Sequence, residues 1–578
     1  MTRLWNEPAD FADEMIAGFV AANGRYVRRV SGGVVRSTVV PDGQVAVVIG
    51  GGSGHYPAFG GLVGQGLAHG AAMGNLFASP STQQVHSVAA AAEHGGGVFL
   101  SYGNYAGDVL NFDSAQDRLR AEGIPCETVT VTDDISSASV DERHKRRGIA
   151  GDLTVFRIAA AAAEAGYDLA GVTTVARRAN DRTRSFGVAF TGCTLPGAEQ
   201  PLFSVPEGRM AVGLGIHGEP GIDETDVPTA DELAELLTAR LLTELPDDIA
   251  QTNGGRVVPI LNGLGSVKYE ELFVVYGRIA QLLGDAGVEI VDPHVGEYCT
   301  SFDMAGTSLT LLWLDDELAE LWDTPVDTPA YRRGSVVAAA HDDTAASAET
   351  TLDIPAASEG SRAAAALAAH AVTVIAETID THVDELGRLD QIAGDGDHGI
   401  GMQRGARAAR AAAAAAVEGG AGAGTVLVHA ADAWSDRAGG TSGALWGVIL
   451  RSIGETIGDD DAPSAASVAA GVAAASDGVT AYGKAEVGDK TMVDALVPFS
   501  ASLTQGVAAG ATLSAAWQKA ADAATRAAAA TADLLPRMGR ARPHAEKSLG
   551  TPDPGAHSLA LIATAIGALL IDASDERN

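Results

Sequence analysis

A chain of 578 residues with 46% hydrophobic and 20% charged residues is long enough to bury several cores, which excludes a largely disordered protein. Lys and Arg number 39 against 74 Asp and Glu, a net charge of −35. A body this acidic repels phosphate backbones and anionic lipid, so nucleic-acid binding and membrane-surface association are excluded as general functions.

At the N-terminus, MTRLWNEPADFADEM carries acids where a signal peptide needs an apolar run. No uncharged, membrane-like apolar stretch reaches about 18 residues, because the Ala-rich runs are too weakly hydrophobic. Cys126, Cys193 and Cys299 lie far apart, match no metal-ligand spacing and predict no disulfide framework. Together these features predict a soluble, cytoplasmic protein.

From residue 1 to 322, short β-branched runs alternate with helical stretches. The runs are 44–50 (QVAVVIG), 96–103 (GGVFLSYG), 127–134 (ETVTVTDD), 169–176 (LAGVTTVA) and 256–263 (RVVPILNG); helices are expected over Thr154–Ala165 and Ala230–Glu244. The pattern predicts an α/β half, too long for one small sheet and therefore two α/β subdomains dividing near residue 190. Residues 323–360 carry prolines and small polar residues without a sustained period, the composition of a linker. From residue 361 to 578 the texture is helical, with Leu367, Ala371, Val374 and Thr378 at helical spacing, so an all-α domain is expected.

Seventy glycines, clustered rather than periodic, point to loops that approach ligands. GGGSGH (50–55) follows a predicted strand; it lacks the third glycine of a dinucleotide fingerprint and reads either as a tight turn or as a ligand loop bearing His55. Ligands of open α/β sheets bind at strand carboxyl ends, which favours the second reading. Asp108 in GNYAGDVLNF (103–112) reads either as a helix cap or as a partner of His55 in one crevice. In GLGIHGEPG (213–221), glycines flank His217, which is expected to be exposed at a strand end with something approaching its ring. Asp390, Asp395 and Asp397 crowd three carboxylates into eight residues, either a surface turn or a Mg²⁺ site completed by nucleotide phosphates. RAGGTSGALWG (437–447) opens a helix with free N–H groups and hydroxyls suited to phosphate. GVTAYGKA (478–485) imitates a phosphate-binding loop but ends in Ala485 where Ser or Thr is needed.

These motifs, with DMAGTSLTL (303–311), GDKTMVDAL (488–496) and SLGTPDPGA (548–556), occur together and in order. Over nearly its whole length the chain resembles the single-chain, ATP-dependent dihydroxyacetone kinases and the related erythrulose kinases. The resemblance implies a ketose-binding domain in which His217 captures the substrate carbonyl as a hemiaminal. His55 and Asp108 would polarise the substrate and accept its hydroxyl proton, with Gly52, Ser53 and Gly54 lining the substrate. It implies a C-terminal antiparallel barrel of about eight helices, where Asp390, Asp395 and Asp397 hold two Mg²⁺ ions bridging ATP. The nucleotide would also meet His398, Gly440, Thr441, Ser442, Gly488, Asp489, Lys490, Thr491, Met492, Asp553, Pro554 and Gly555. A homodimer is implied as well. Triose-kinase relatives typically read GHEP with a histidine two residues later, whereas this chain has Tyr56 and Phe59 at those places. That departure, placed near the expected pocket, points from dihydroxyacetone towards erythrulose, the D form phosphorylated to its 4-phosphate. A non-catalytic regulator, an FMN-cyclising lyase and a phosphocarrier-driven kinase are the competing classes. The retained histidine and aspartates argue against the regulator and the fusion of the two halves against the phosphocarrier, while Mn²⁺-dependent breakdown of FAD would reveal the lyase.

Overall fold

The computed structural model describes residues 4–578 apart from 199, 220, 343–353, 393–395, 397, 539–545 and 576–578. Two compact units divide the chain, Met1–Glu349 and Thr350–Asn578.

The first unit opens with α1 (Phe11–Asn23) and a sheet of β1 (Val27–Val30), β2 (Gly33–Arg36), β3 (Ala46–Ser53), β4 (Gly70–Leu76), β5 (Val98–Gly103) and β6 (Cys126–Val131), in the order β1-β2-β4-β3-β5-β6. β4, β3, β5 and β6 run parallel, and α2 (Thr82–Ala92) and α3 (Ala106–Ala121) make crossovers. The chain leaves β3 for β4 on one side, while β5 lies on the other. The carboxyl end of β3 is thus a switch point where a crevice opens.

Next come α4 (Asp152–Glu164) and α5 (Leu169–Asp181), then a second sheet. Its strands are β7 (Thr183–Ala189), β8 (Arg209–Val212), β9 (Asp223–Asp226), β10 (Arg256–Gly263), β11 (Glu289–Ile290), β12 (His294–Gly296) and β13 (Gly306–Leu314). The path β10-β13-β7-β8-β9 is antiparallel, and α6 (Ala230–Leu242) and α7 (Tyr269–Asp285) cover this sheet's separate core. α4 is buried along Asp152–Ala163 and shares one core with Val47, Ile49 and Phe99 of the first sheet and Val258, Ile260 and Leu312 of the second. A helix buried all round needs no polar stripe, as the run LTVFRIAAAAA shows.

The expectation of a strand at 169–176 is corrected: LAGVTTVA lies in α5. Asp168 caps it by accepting from the Gly171 N–H, and Val172, Val175, Ala176 and Ala179 bury one helical face. Cap and periodicity outweigh the β-branched composition. After α8 (Asp316–Trp322), β14 (Val326–Asp327) pairs antiparallel with β15 (Arg332–Arg333) inside the segment expected as a linker. Thr328 and Tyr331 of that hairpin are buried, and Asp327 bridges to Gln65. The three cysteines are buried free thiols.

The second unit holds α9 (Glu359–Gln391), α10 (His398–Glu418), α11 (Ala423–Ala438), α12 (Gly440–Ile457), α13 (Ala465–Gly483), α14 (Val493–Ala508), α15 (Leu513–Ala530) and α16 (Pro554–Asp575). Each helix packs on its chain neighbours and α16 closes back on α9. In α9 the core face is Val372, Ile375, Ala376 and Ile379, while Leu367 and Ala371 look into an apolar cavity of about 770 Å³ bounded also by Trp446, Phe499 and Trp517. α9 and α16 are long and apolar enough to cross a membrane by composition alone. Both line this cavity, which accounts for their hydropathy within the fold.

Candidate active site

In the α/β unit, residues following three parallel strands meet at the switch point. His55 stands two residues beyond β3, Phe77 directly after β4, and Tyr105 and Asp108 at the start of α3 after β5. His217 arrives from the loop between β8 and β9, and brings its Nε2 to 3.0 Å from the Nε2 of His55. Thr300, on the loop before β13, accepts the Nδ1–H of His55 at 2.7 Å. Phe302 N–H donates to the Gly54 carbonyl at 2.8 Å, so the loop of one sheet is sewn to the loop of the other.

Aromatic rings enclose the pair. Phe77 stacks on His55 with centroids 4.8 Å apart, and the edges of Phe77 and Tyr105 meet His217 at 5.3 and 4.6 Å. Tyr105 is fixed by its hydroxyl, which donates to the Gly148 carbonyl. Burial, then the neighbouring His217, lowers the pKa of His55 to about 3, so its neutral form prevails. His217 is 8% exposed, which corrects the expectation of an exposed ring. Its flanking glycines serve packing, since a Cβ on Gly218 would lie 2.0 Å from the Phe203 ring.

Asp108 is buried in the first turn of α3. The glycines of the 50–55 loop admit rings: a Cβ on Gly54, whose φ is +103°, would lie 2.6 Å from Phe77. Gly52 packs against the backbone of Phe77 and Ala78, and the Ser53 hydroxyl donates to the Gly74 carbonyl. Phe59 is 6% exposed, lies against Gly51 and Phe156, and belongs to the core, whereas Tyr56 is half exposed and edges onto Phe19. Among the described residues, the rings that meet His55 are those of Phe77 and His217. Sequence alone does not single out Phe77, Tyr105 or Glu219. Tyr105 and Glu219 sit inside recognised motifs, while Phe77 carries no sequence signal.

In the helical unit, α10, α12, α14 and α16 all begin at one end of the ring, so their positive dipole ends share that rim. His398 Nδ1 pairs with the Ser442 hydroxyl at 3.3 Å and Nε2 with the Ser558 hydroxyl at 3.1 Å, tying α10 to α12 and α16. The His398 N–H donates to Asp390 at 3.3 Å, and burial lowers the pKa of the ring. Asp494 accepts the N–H groups of Gly488 and Thr491 and shapes the GDKT turn; Asp489 accepts from Glu486 N–H. The Lys490 ammonium donates to the Leu534 and Ser548 carbonyls. Met492 and Gly555 are adjacent, at 3.3 Å from a Cβ built on the glycine. Gly440 and Gly488 face open space, and α12 opens with Gly440, Thr441 and Ser442. Asp553, next to Pro554, has its pKa pushed up to about 7 by burial, with Asp494 and Asp390 adding to the rise.

Asp395 and Asp397 lie outside the described residues, and those described include no cluster of three metal-ligating side chains. Of the three aspartates, Asp390 is described, and its carboxylate, which accepts the His398 N–H, offers the oxygen donors that a hard cation such as Mg²⁺ takes.

The sequence matches the Dak1 domain over residues 17–330 and the DAK2 domain over 392–568. It is 61% identical over 573 residues to the L-erythrulose kinase of Pectobacterium atrosepticum, covering 99% of this chain and 97% of that one. It is 54% identical to the D-erythrulose kinase of Mycolicibacterium smegmatis, covering 98% of both. Among solved structures, the dihydroxyacetone kinase from C. freundii in complex with AMP-PNP and Mg²⁺ aligns with a TM-score of 0.52 at 29% identity, covering 98% of this chain and 99% of that one.

Proposed function

Because this chain belongs to the dihydroxyacetone kinase family, we propose that it phosphorylates a terminal hydroxyl of erythrulose with ATP as donor. The observation that supports this reading best is full-length identity to erythrulose kinases of both hands, joined to an enclosed histidine pair at the sheet's switch point. Residues 1–322 would hold the ketose and residues 361–578 the nucleotide, in a cytoplasmic homodimer.

His217 Nε2 would add to the carbonyl carbon, and the carbonyl oxygen would take a proton from His55, giving a hemiaminal. Held this way, the substrate cannot rotate, and orientation is the larger part of what phosphoryl transfer asks of a protein. Asp108 would accept the proton of the attacking hydroxyl. Gly52, Ser53 and Gly54 would contribute the wall behind His55, with Phe77 and Tyr105 excluding water. Glycerol, lacking a carbonyl, is rejected by this chemistry rather than by size.

On the helical side, Asp390, Asp395 and Asp397 would hold two Mg²⁺ ions, which neutralise the polyphosphate. The backbone and hydroxyls of Gly440, Thr441 and Ser442 would cradle phosphate at the α12 N-terminus, with His398 fixing Ser442. Gly488, Asp489, Lys490, Thr491 and Met492, together with Asp553, Pro554 and Gly555, would form the adenine side. The D enantiomer and the 4-phosphate are the proposed substrate and product, with dihydroxyacetone the alternative substrate.

The test is His217→Ala, assayed for ADP release with erythrulose and, separately, for Mg–ATP binding. Turnover lost with nucleotide binding intact supports the reading; near-normal turnover refutes capture on His217.

A further inference from the structure

Both rings of the histidine pair are anchored at Nδ1. A backbone carbonyl only accepts, so His55 holds its proton at Nδ1, towards Thr300. The Nδ1 of His217 lies 3.1 Å from Oε1 of Glu219, and the backbone N–H of His217 donates to Oε2 of the same carboxylate at 3.0 Å. The carboxylate is itself held: Arg147 Nη1 is 3.7 Å from Oε2, and Arg147 Nε and Nη2 donate to Asp134 at 3.0 and 2.7 Å. The Glu219, Arg147 and Asp134 side chains are 14%, 13% and 2% exposed, so water weakens this chain little. With both Nδ1 atoms protonated, two bare Nε2 lone pairs 3.0 Å apart would repel, so the pair carries one proton between them.

We infer that Glu219 is a positioning residue: it locks His217 in the Nδ1–H form that presents Nε2 to the substrate, and it is the fixed counter-charge of the ring after capture. The inference rests on the capture reading above, and the charge balance follows from it. The shared proton passes to His55 only during capture, which frees the Nε2 pair of His217. That pair forms the N–C bond while the carbonyl π pair moves to oxygen and takes the proton from His55. The hemiaminal ring keeps its Nδ1–H and one positive charge, the same total as before, now beside Glu219. A carboxylate that orients a metal-ligating imidazole is worth on the order of 10- to 100-fold, which sets the scale expected for Glu219.

The experiment adds ketose labelled with ¹³C at the carbonyl to the full-length protein without nucleotide, and reads the signal of the ketone carbon against that of the adduct carbon. The wild type should give an adduct and His217→Ala none. Glu219→Gln, nearly isosteric but uncharged, should lower adduct occupancy at least tenfold, raise KM more than it lowers kcat, and shift the His217 imidazole ¹⁵N signals, Nδ1 above all, away from their wild-type positions. Glu219→Asp, which keeps the charge, should recover part of the occupancy; it carries the test alone if the Gln variant does not fold, and must then fall below the wild type. Glu219→Gln with occupancy within twofold of the wild type overturns the inference and leaves capture standing. Absence of an adduct in the wild type overturns capture itself.

Discussion

Phe59 separates packing from specificity. Its ring is 6% exposed, rests flush on Gly51, where a Cβ would come within 2.5 Å of Cε2, and has its centroid 6.2 Å from that of Phe156. Truncation to Ala leaves a void floored by the β3 backbone, which is paired to β4 at Gly51 and to β5 at Ile49 and cannot move in to fill it. Phe→Ala changes in cores cost roughly 3–5 kcal/mol, and a site unable to collapse belongs in the upper part of that range, about 4–5 kcal/mol. Tyr56→Glu, at a half-exposed position, should stay within about 0.5 kcal/mol. Denaturant unfolding of the full-length variants measures the stabilities, and kcat/KM for erythrulose and dihydroxyacetone on the same preparations measures preference. The expected outcome is a large stability loss in Phe59→Ala with an unchanged substrate ratio. A tenfold change of ratio with less than about 1 kcal/mol of destabilisation would refute the core assignment and return Phe59 to the pocket wall.

Gly215→Ala would put a methyl 2.1 Å from Glu219 Oε2 and 2.4 Å from Arg147 Nη1, both ends of side chains that can yield, so kcat/KM should fall on the order of tenfold without unfolding; an unchanged value would show that the placement of this carboxylate is immaterial. Asp395→Asn should raise the Mg²⁺ concentration needed for half-maximal rate by roughly 10- to 100-fold, and an unaltered Mg²⁺ titration would leave the 390–397 segment a turn. Burial raises the Asp133 carboxyl from 3.8 to about 6, so the folded state binds the extra proton and this group's contribution is lost as pH rises through 6. Relative to Asp133→Asn, the wild type should therefore gain on the order of 1 kcal/mol between about pH 7.5 and about pH 5; a difference that is flat with pH would contradict the assignment.

Much of the fold is legible because burial leaves a plain signature. The runs at 44–50 and 256–263 become β3 and β10, both central strands, and the Ala-rich texture after residue 361 becomes a closed ring of helices. LAGVTTVA misleads because periodicity cannot separate a short apolar strand from a buried helix, and the deciding cap at Asp168 lies outside the run. Individual site residues stand out by their glycine settings, but their meeting does not. His55 and His217 are 162 residues apart and belong to different sheets. The glycines around His55 signal close approach correctly, yet what approaches is Phe77 and Phe59 of the chain itself. Glu219 is visible two residues from His217, but only the folded loop shows its carboxylate turned back onto the ring. On the helical side, the ordering of the chain places Gly440, Val493 and Pro554 at even-numbered helix starts, and only the antiparallel ring makes that one rim.

The most direct test of the central claim is a comparison of kcat/KM for D-erythrulose, L-erythrulose and dihydroxyacetone with the purified chain and Mg–ATP, followed by ³¹P NMR of the product. An erythrulose enantiomer should exceed dihydroxyacetone by tenfold or more and yield a phosphate ester on a terminal carbon. Dihydroxyacetone winning by tenfold, or no ATP-dependent ester from any ketose, would contradict the claim.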